Sequence, residues 1–156
     1  MAAAKKISLD RRKVVTRILK DRGEALLVTG LGAPTWDAAA AGDHPNNFYL
    51  WGGMGGAALT GLGLALAQPR RRVLVITGDG DGLSIGGNHL VHALRRNLDM
   101  NIILLNNKIY GLTKGQYSPT SEKGQITKTS PYGVLEEPLN PLRIALASEA
   151  TFVARA

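Results

Sequence analysis

Val73-Leu74-Val75-Ile76-Thr77-Gly78-Asp79-Gly80-Asp81-Gly82 is the stretch on which the fold turns. Five apolar or β-branched residues run without interruption into three glycines separated by aspartates. A short apolar run bounded by turn signals fits a strand buried on both faces, as in a parallel sheet covered by helices. Glycines at its carboxyl end let the backbone approach a ligand and hand the chain to a helix whose first N–H groups face outward.

Outward from that run, strands are expected at 25–29, 47–51, 101–105 and 151–154 besides 73–77. Helices are expected at 9–22, 35–42, 52–68, 85–97 and 142–148. Ser8 is positioned to cap the first, with Val14, Val15, Ile18 and Leu19 on one stripe and Gly23 ending it. This alternation predicts a three-layer α/β/α domain with a mostly parallel sheet over residues 1–156. Ligands in such sheets bind beyond the carboxyl ends of the strands. Two loops stand there, 78–84 and 106–140. The second is long, rich in Thr, Ser, Gly, Lys and Tyr, and reads as an active-site loop or lid.

The composition narrows the class. At 156 residues with 44% hydrophobic and 20% charged side chains, the chain forms one domain with a real core and is not disordered. Glycine reaches 19 residues, well above the usual ~7%. Cysteine is absent, which removes disulfides, iron–sulfur ligation and thiol nucleophiles from these residues and fits a reducing compartment. The net charge of +7 is concentrated in Lys5, Lys6, Arg11, Arg12, Lys13, Arg17, Lys20 and Arg22. That segment lacks aromatics, so it reads as a solvated helix face open to an acidic partner, not as a nucleic-acid surface. Residues 1–6 hold too short an apolar run for a signal peptide, and 52–67 falls short of the ~20 residues that cross a bilayer. A cytoplasmic protein without membrane contact is expected.

The strand ends carry the chemistry. Backbone N–H groups after Gly78 would attract an anion, whereas Asp79 in the same turn would repel a bare phosphate. A hard divalent cation between them resolves the conflict. Asn107, at the end of the next strand, adds a neutral oxygen, and a main-chain carbonyl just after it adds another. An oxygen-only, incomplete set suits Mg²⁺, whose octahedron is finished by phosphates and water. The site therefore asks for a diphosphate. A calcium loop starting at Asp79 is rejected because Leu83 and Leu90 fall where oxygen ligands are needed. Gly30-Leu31-Gly32 is a partial dinucleotide fingerprint spoiled by Pro34 and Thr35. Tight turns with an aspartate cap remain the plain structural alternative.

Gly78-Asp79-Gly80 followed by Asn106-Asn107, with 28 positions from Asp79 to Asn107, resembles the thiamine diphosphate motif of 2-oxo acid decarboxylases and oxidoreductases. The resemblance implies that Asp79, Asn107 and the main chain of Ile109 bind Mg²⁺. It places Gly78, Gly80, Asp81 and Gly82 against the diphosphate. Trp51-Gly52-Gly53-Met54 is similar to the segment that grips the aminopyrimidine. There the carbonyl of Gly52 would orient the 4′-amino group beside Gly53, and Met54 would prop the cofactor into a bent shape. Core packing is the equal alternative for Met54. Residues 27–72 look like the β chain of sulfopyruvate or phosphonopyruvate decarboxylases. From Thr77 onward, Gly86-Gly87-Asn88-His89 and residues 110–120 are similar to the β subunit of 2-oxo acid:ferredoxin oxidoreductases.

The same resemblance implies a partner. Its activating Glu comes from a separate pyrimidine-binding domain, which this chain does not contain, so a second, α-type chain is expected to complete the site. Small residues between Gly52 and Ala67 suit a close helix interface or, equally, tight packing on the sheet. The expected activity is thiamine diphosphate- and Mg²⁺-dependent decarboxylation of a 2-oxo acid, with non-redox release of an aldehyde preferred because no cysteine is present. The alternatives are a β subunit passing electrons to ferredoxin and the acyl group to coenzyme A, and a cofactor-binding module without activity of its own. His89 and His92 share a helix face but lack a third ligand. Lys114, Gln116, Tyr117, Ser118 and Thr120 read as solvated lid residues before they read as substrate contacts.

Overall fold

The computed structural model describes residues 9–156, so the expected Ser8 cap and the reading of residues 1–6 lie outside it. Helix α1 spans Arg11–Lys20, and Asp10 caps it: its carboxylate accepts from the N–H of Lys13 at 3.2 Å. Strand β1 (Leu26–Thr29), helix α2 (Ala33–Ala40), strand β2 (Asn47–Tyr49) and helix α3 (Ala57–Ala67) follow. Strand β3 (Val73–Gly78) enters a π-helical turn, Gly80–Ile85, and then α4 (Gly87–Arg96) and β4 (Met100–Leu105). A two-residue hairpin pair, β5 (Ile109–Tyr110) and β6 (Gln116–Tyr117), precedes α5 (Pro141–Ala147).

The main sheet runs β2-β1-β3-β4 with every pair parallel. Alternate residues of β3 supply two cores. Leu74 and Ile76 join Val15, Leu27 and Ala38 beneath α1 and α2, while Val73 and Val75 join Val28, Ala57 and Ala65 beneath α3. Helices cover both faces, as a continuous apolar strand requires, and the expected three-layer architecture stands.

Three local expectations are corrected. Helix α3 begins five residues later than expected because Gly55 adopts φ +78°, outside the helical range. Gly61 shows why small residues fill that helix: a Cβ there would stand 2.4 Å from Val75 Cγ2, so the helix rides close on the sheet. Residues 151–154 form no strand; the Thr151 hydroxyl donates to Asn97 Oδ1 at 3.1 Å. The 106–140 segment is not an open lid throughout. It carries the β5–β6 hairpin, and Ser118, Thr120 and Ser121 are buried. Among the described residues, no helix is long and apolar enough to cross a membrane.

Candidate functional site

Register places the site. Gly78 pairs with Leu105 at the end of the β3–β4 ladder, so Asp79 and Asn106 are the first residues beyond two neighbouring strands. Their turns meet. The N–H of Asn107 donates to Asp79 Oδ1 at 3.2 Å. Asp79 Oδ2 accepts from the hydroxyls of Ser118 at 2.5 Å and Thr120 at 2.7 Å. The Asp79 side chain belongs to a residue only 1% exposed. No Lys, Arg or His among the described residues forms an ion pair with it or with Asp81.

Residues 106–109 are held from the opposite side. Lys108 adopts φ 60°, a left-handed backbone unusual for a lysine. Its N–H donates to Asn106 Oδ1 at 3.2 Å, and its carbonyl accepts from Ser121 Oγ at 2.6 Å. The N–H of Ile109 donates to Asn107 Oδ1 at 3.3 Å. The Lys108 ammonium also pairs with Glu122.

The glycines divide by role. Gly80 lies under Tyr110, where a Cβ would stand 2.5 Å from the ring, and the Tyr110 hydroxyl donates to the Gly80 carbonyl at 3.0 Å. A Cβ on Gly78 would meet nothing within 4 Å. Gly82 packs inward on Thr77 and Leu104. Asp81 is turned into the protein: Oδ1 accepts from the N–H of Gly55 at 2.6 Å, and Oδ2 from the Thr77 hydroxyl at 2.6 Å. Gly55 and Gly86 touch backbone to backbone beside this clasp, since a Cβ on Gly55 would stand 2.4 Å from Gly86 N.

Met54, Gly78, Asp79, Gly80, Asn107 and Ile109 all line one broad, open depression that extends well beyond them along β4. Asp81 also reaches its edge; Gly52, Gly53 and Gly82 do not line it. Met54 is 41% exposed, which removes core packing as its explanation. Trp51, just before Gly52, meets Trp36 of α2 edge to face, with ring centroids 5.0 Å apart. His89 and His92 gain no third ligand: no cluster of three His, Cys, Asp or Glu suited to a metal occurs among the described residues. The expectation that Ser118 and Thr120 are solvated lid residues is corrected, since both are buried against Asp79, and the roles of Ser121, Thr77 and Gly55 were not anticipated. The dense hydroxyl run Ser118-Pro119-Thr120-Ser121 was the one available signal.

The donor set suits a hard cation. Asp79 is a buried carboxylate without a cationic side chain, and buried charges are paired or coordinate metals. The Asn107 backbone bonded to it brings the 106–109 turn alongside, and that turn carries amide and main-chain oxygens of the kind Mg²⁺ accepts with phosphate and water.

The domain is α/β, with a buried carboxylate, a glycine turn and an amide brought together at adjacent strand ends. Residues 31–156 match the family described as thiamine pyrophosphate enzyme, C-terminal TPP binding domain, and the chain belongs to that family. It is 63% identical over 102 residues to 2-oxoglutarate oxidoreductase subunit KorB of Mycobacterium tuberculosis, covering 65% of this chain and 27% of that one. It is 40% identical over 158 residues to the 2-oxoacid:ferredoxin oxidoreductase subunit beta of Saccharolobus solfataricus, covering 98% and 46%. A solved 2-oxoglutarate:ferredoxin oxidoreductase from Magnetococcus marinus, with 2-oxoglutarate, coenzyme A and succinyl-CoA bound, superposes with a TM-score of 0.78 at 36% identity. That match covers 90% of this chain and 48% of the solved chain, so this chain spans less than half the length of each of these relatives. All three are named as oxidoreductases, which favours the ferredoxin-linked alternative over the simple decarboxylase first preferred.

Proposed function

We propose that this chain is the diphosphate-binding part of a 2-oxo acid:ferredoxin oxidoreductase β subunit, holding thiamine diphosphate through Mg²⁺. One observation carries the reading. Asp79, buried and without a cationic partner, stands against the Asn107 backbone in a chain similar over nearly its whole length to a named β subunit.

Asp79, the Asn107 side chain and the Ile109 carbonyl would hold the cation. Gly78 and Gly80 would let the diphosphate reach the backbone. Gly52, Gly53 and Met54 would meet the aminopyrimidine, and Asp81 would fix that segment through Gly55 and not by touching phosphate. Residues 106–140 serve the site as its supporting wall. The cofactor supplies the electron sink for loss of carbon dioxide from a 2-oxo acid. Ferredoxin would accept the two electrons released, and coenzyme A would take the acyl group. The chain has no cysteine, so clusters that carry those electrons are ligated outside these residues. An α-type partner would supply the pyrimidine domain and its activating Glu.

Calorimetric titration of thiamine diphosphate, with and without Mg²⁺, tests the site. Binding should require Mg²⁺ and vanish in Asp79→Ala. Metal-independent binding unchanged by that substitution would refute it. With an α-type partner, 2-oxo acid- and coenzyme A-dependent reduction of ferredoxin tests the activity. Carbon dioxide release without ferredoxin reduction would return the reading to a simple decarboxylase.

A further inference from the structure

We infer that Ser118 and Thr120 are positioning residues that restrict Asp79 to one ligating oxygen and thereby favour Mg²⁺ over Ca²⁺. The inference rests on the cation site proposed above.

A carboxylate offers about four lone-pair positions, two on each oxygen. Both positions on Asp79 Oδ2 are taken, by Ser118 Oγ at 2.5 Å and Thr120 Oγ1 at 2.7 Å. Oδ1 receives a single N–H, from Asn107 at 3.2 Å, and keeps one position free. The Thr120 hydroxyl also stands 2.8 Å from the Asn106 side-chain amide. Its one proton is divided between Asp79 Oδ2 and Asn106 Oδ1, which also accepts from the Lys108 N–H, and the carboxylate is the stronger acceptor.

The two hydroxyls are themselves held. Ser121 Oγ accepts from the N–H of Ser118 at 2.8 Å and donates to the Lys108 carbonyl at 2.6 Å. The short run 118–121 thus ties the Asp79 turn to the 106–109 turn. Ser118, Thr120 and Ser121 are each 1–2% exposed, so water does not compete for these bonds. Ca²⁺ takes six to eight oxygens and readily accepts a carboxylate through both, at about 2.3–2.6 Å, whereas Mg²⁺ demands a tight octahedron of single oxygens. A carboxylate with one oxygen engaged by two hydroxyls is arranged for the second case.

The test is calorimetric titration of Mg²⁺, and separately of Ca²⁺, into the full chain with thiamine diphosphate present at one fixed excess. The variants are Ser118→Ala, Thr120→Val and Thr120→Ser. Loss of such a supporting bond weakens metal affinity by about 10- to 100-fold. Ser118→Ala and Thr120→Val should lose Mg²⁺ affinity on that scale and Ca²⁺ affinity much less, so the Mg²⁺/Ca²⁺ ratio falls. Thr120→Ser, which keeps the hydroxyl, should restore the ratio. A merely structural role would weaken both ions equally, and an unchanged ratio in Ser118→Ala and Thr120→Val overturns the inference. Thermal unfolding without ligand checks each variant's fold; should Thr120→Val not fold, Ser118→Ala carries the test alone. If the unsubstituted chain binds neither ion, the cation site itself fails, which is a different result.

Discussion

Asp81 gives the sharpest test of how this site is built, because its two environments predict opposite outcomes. Against a diphosphate, its charge would repel, and removing that charge would tighten cofactor binding. In the structure it is a clasp, accepting the N–H of Gly55 and the hydroxyl of Thr77, each at 2.6 Å. Asp81→Ala leaves both donors buried without an acceptor, at about 1–3 kcal/mol each. The loss is roughly 2–6 kcal/mol. For a domain of this size that lowers the melting temperature by roughly 4–24 °C, at about 2–4 °C per kcal/mol. Asp81→Asn keeps one oxygen for Gly55 and turns its NH₂ to Thr77, whose hydroxyl rotates to accept. It forfeits only charge assistance, on the order of 1 kcal/mol. Scanning calorimetry on the ligand-free variants should therefore rank wild type, Asn, then Ala, with a wide gap before Ala. Titration with thiamine diphosphate and Mg²⁺ should show affinity following the same order. Equal melting temperatures for Asn and Ala, or tighter cofactor binding by Asn than by wild type, would refute the clasp.

Other perturbations follow from the same contacts. Gly55→Ala forces a side chain into a left-handed backbone against Gly86 N, so it should destabilise by about 2–5 kcal/mol and be read as a lower denaturant midpoint. Gly80→Ala should expel the Tyr110 ring, measured as loss of its hydrogen bond to Gly80 and weaker cofactor binding, whereas Gly78→Ala, with open space, should keep the fold. Arg11 pairs with the buried Asp37 through two nitrogens, and Arg12 stands 3.7 Å from the same carboxylate. Arg11→Ala should cost about 1–3 kcal/mol, and the Arg11→Ala/Arg12→Ala pair more than the single change, by urea unfolding. Burial, reinforced by the Asp43 carboxylate and opposed by the hydrogen bond from Asn47, raises the Tyr49 hydroxyl above its ordinary 10.0. The folded state then holds that proton longer, so this contribution is complete below pH 10.0 and is lost as pH rises through the folded value. Tyr49→Phe should flatten that alkaline decline.

The parts legible in the sequence are those set by periodicity and by backbone chemistry. β3 has no polar break, so its two-sided burial follows directly, and Leu74 and Ile76 do face away from Val73 and Val75. Gly78, Asp79 and Asn107 were legible because a strand end limits where such residues can point. Residues 118–121 were not, because nothing local buries them: Ser and Thr usually favour water, and here long-range bonds to Asp79 and Lys108 decide. Asp81 was misplaced for a related reason, since its partner Gly55 is 26 residues away on another loop. The expected strand at 151–154 has the right residues but no ladder, and β4 is left as an edge only partly covered.

The 28-residue interval between Asp79 and Asn107 has a physical origin. Parallel neighbours need a crossover, and here the π-helical turn, α4 and the return to Met100 fill it, so the register Val73↔Met100 to Gly78↔Leu105 follows. That register fixes which atoms can meet. A one-residue slip would carry Asn107 past Asp79 and turn Ile102 and Leu104 away from the helices they pack against. The apolar pattern of β4, not any bond within the site, therefore sets the separation of the two turns. The hydroxyl run then locks what the sheet has aligned. Exchanging the partly buried Ile102 and Leu104 of β4 for smaller apolar residues should loosen the Asp79–Asn107 contact before the fold is lost. Faster amide exchange at Asn107 than at Val75 would report that order, and equal exchange at both would place the alignment elsewhere.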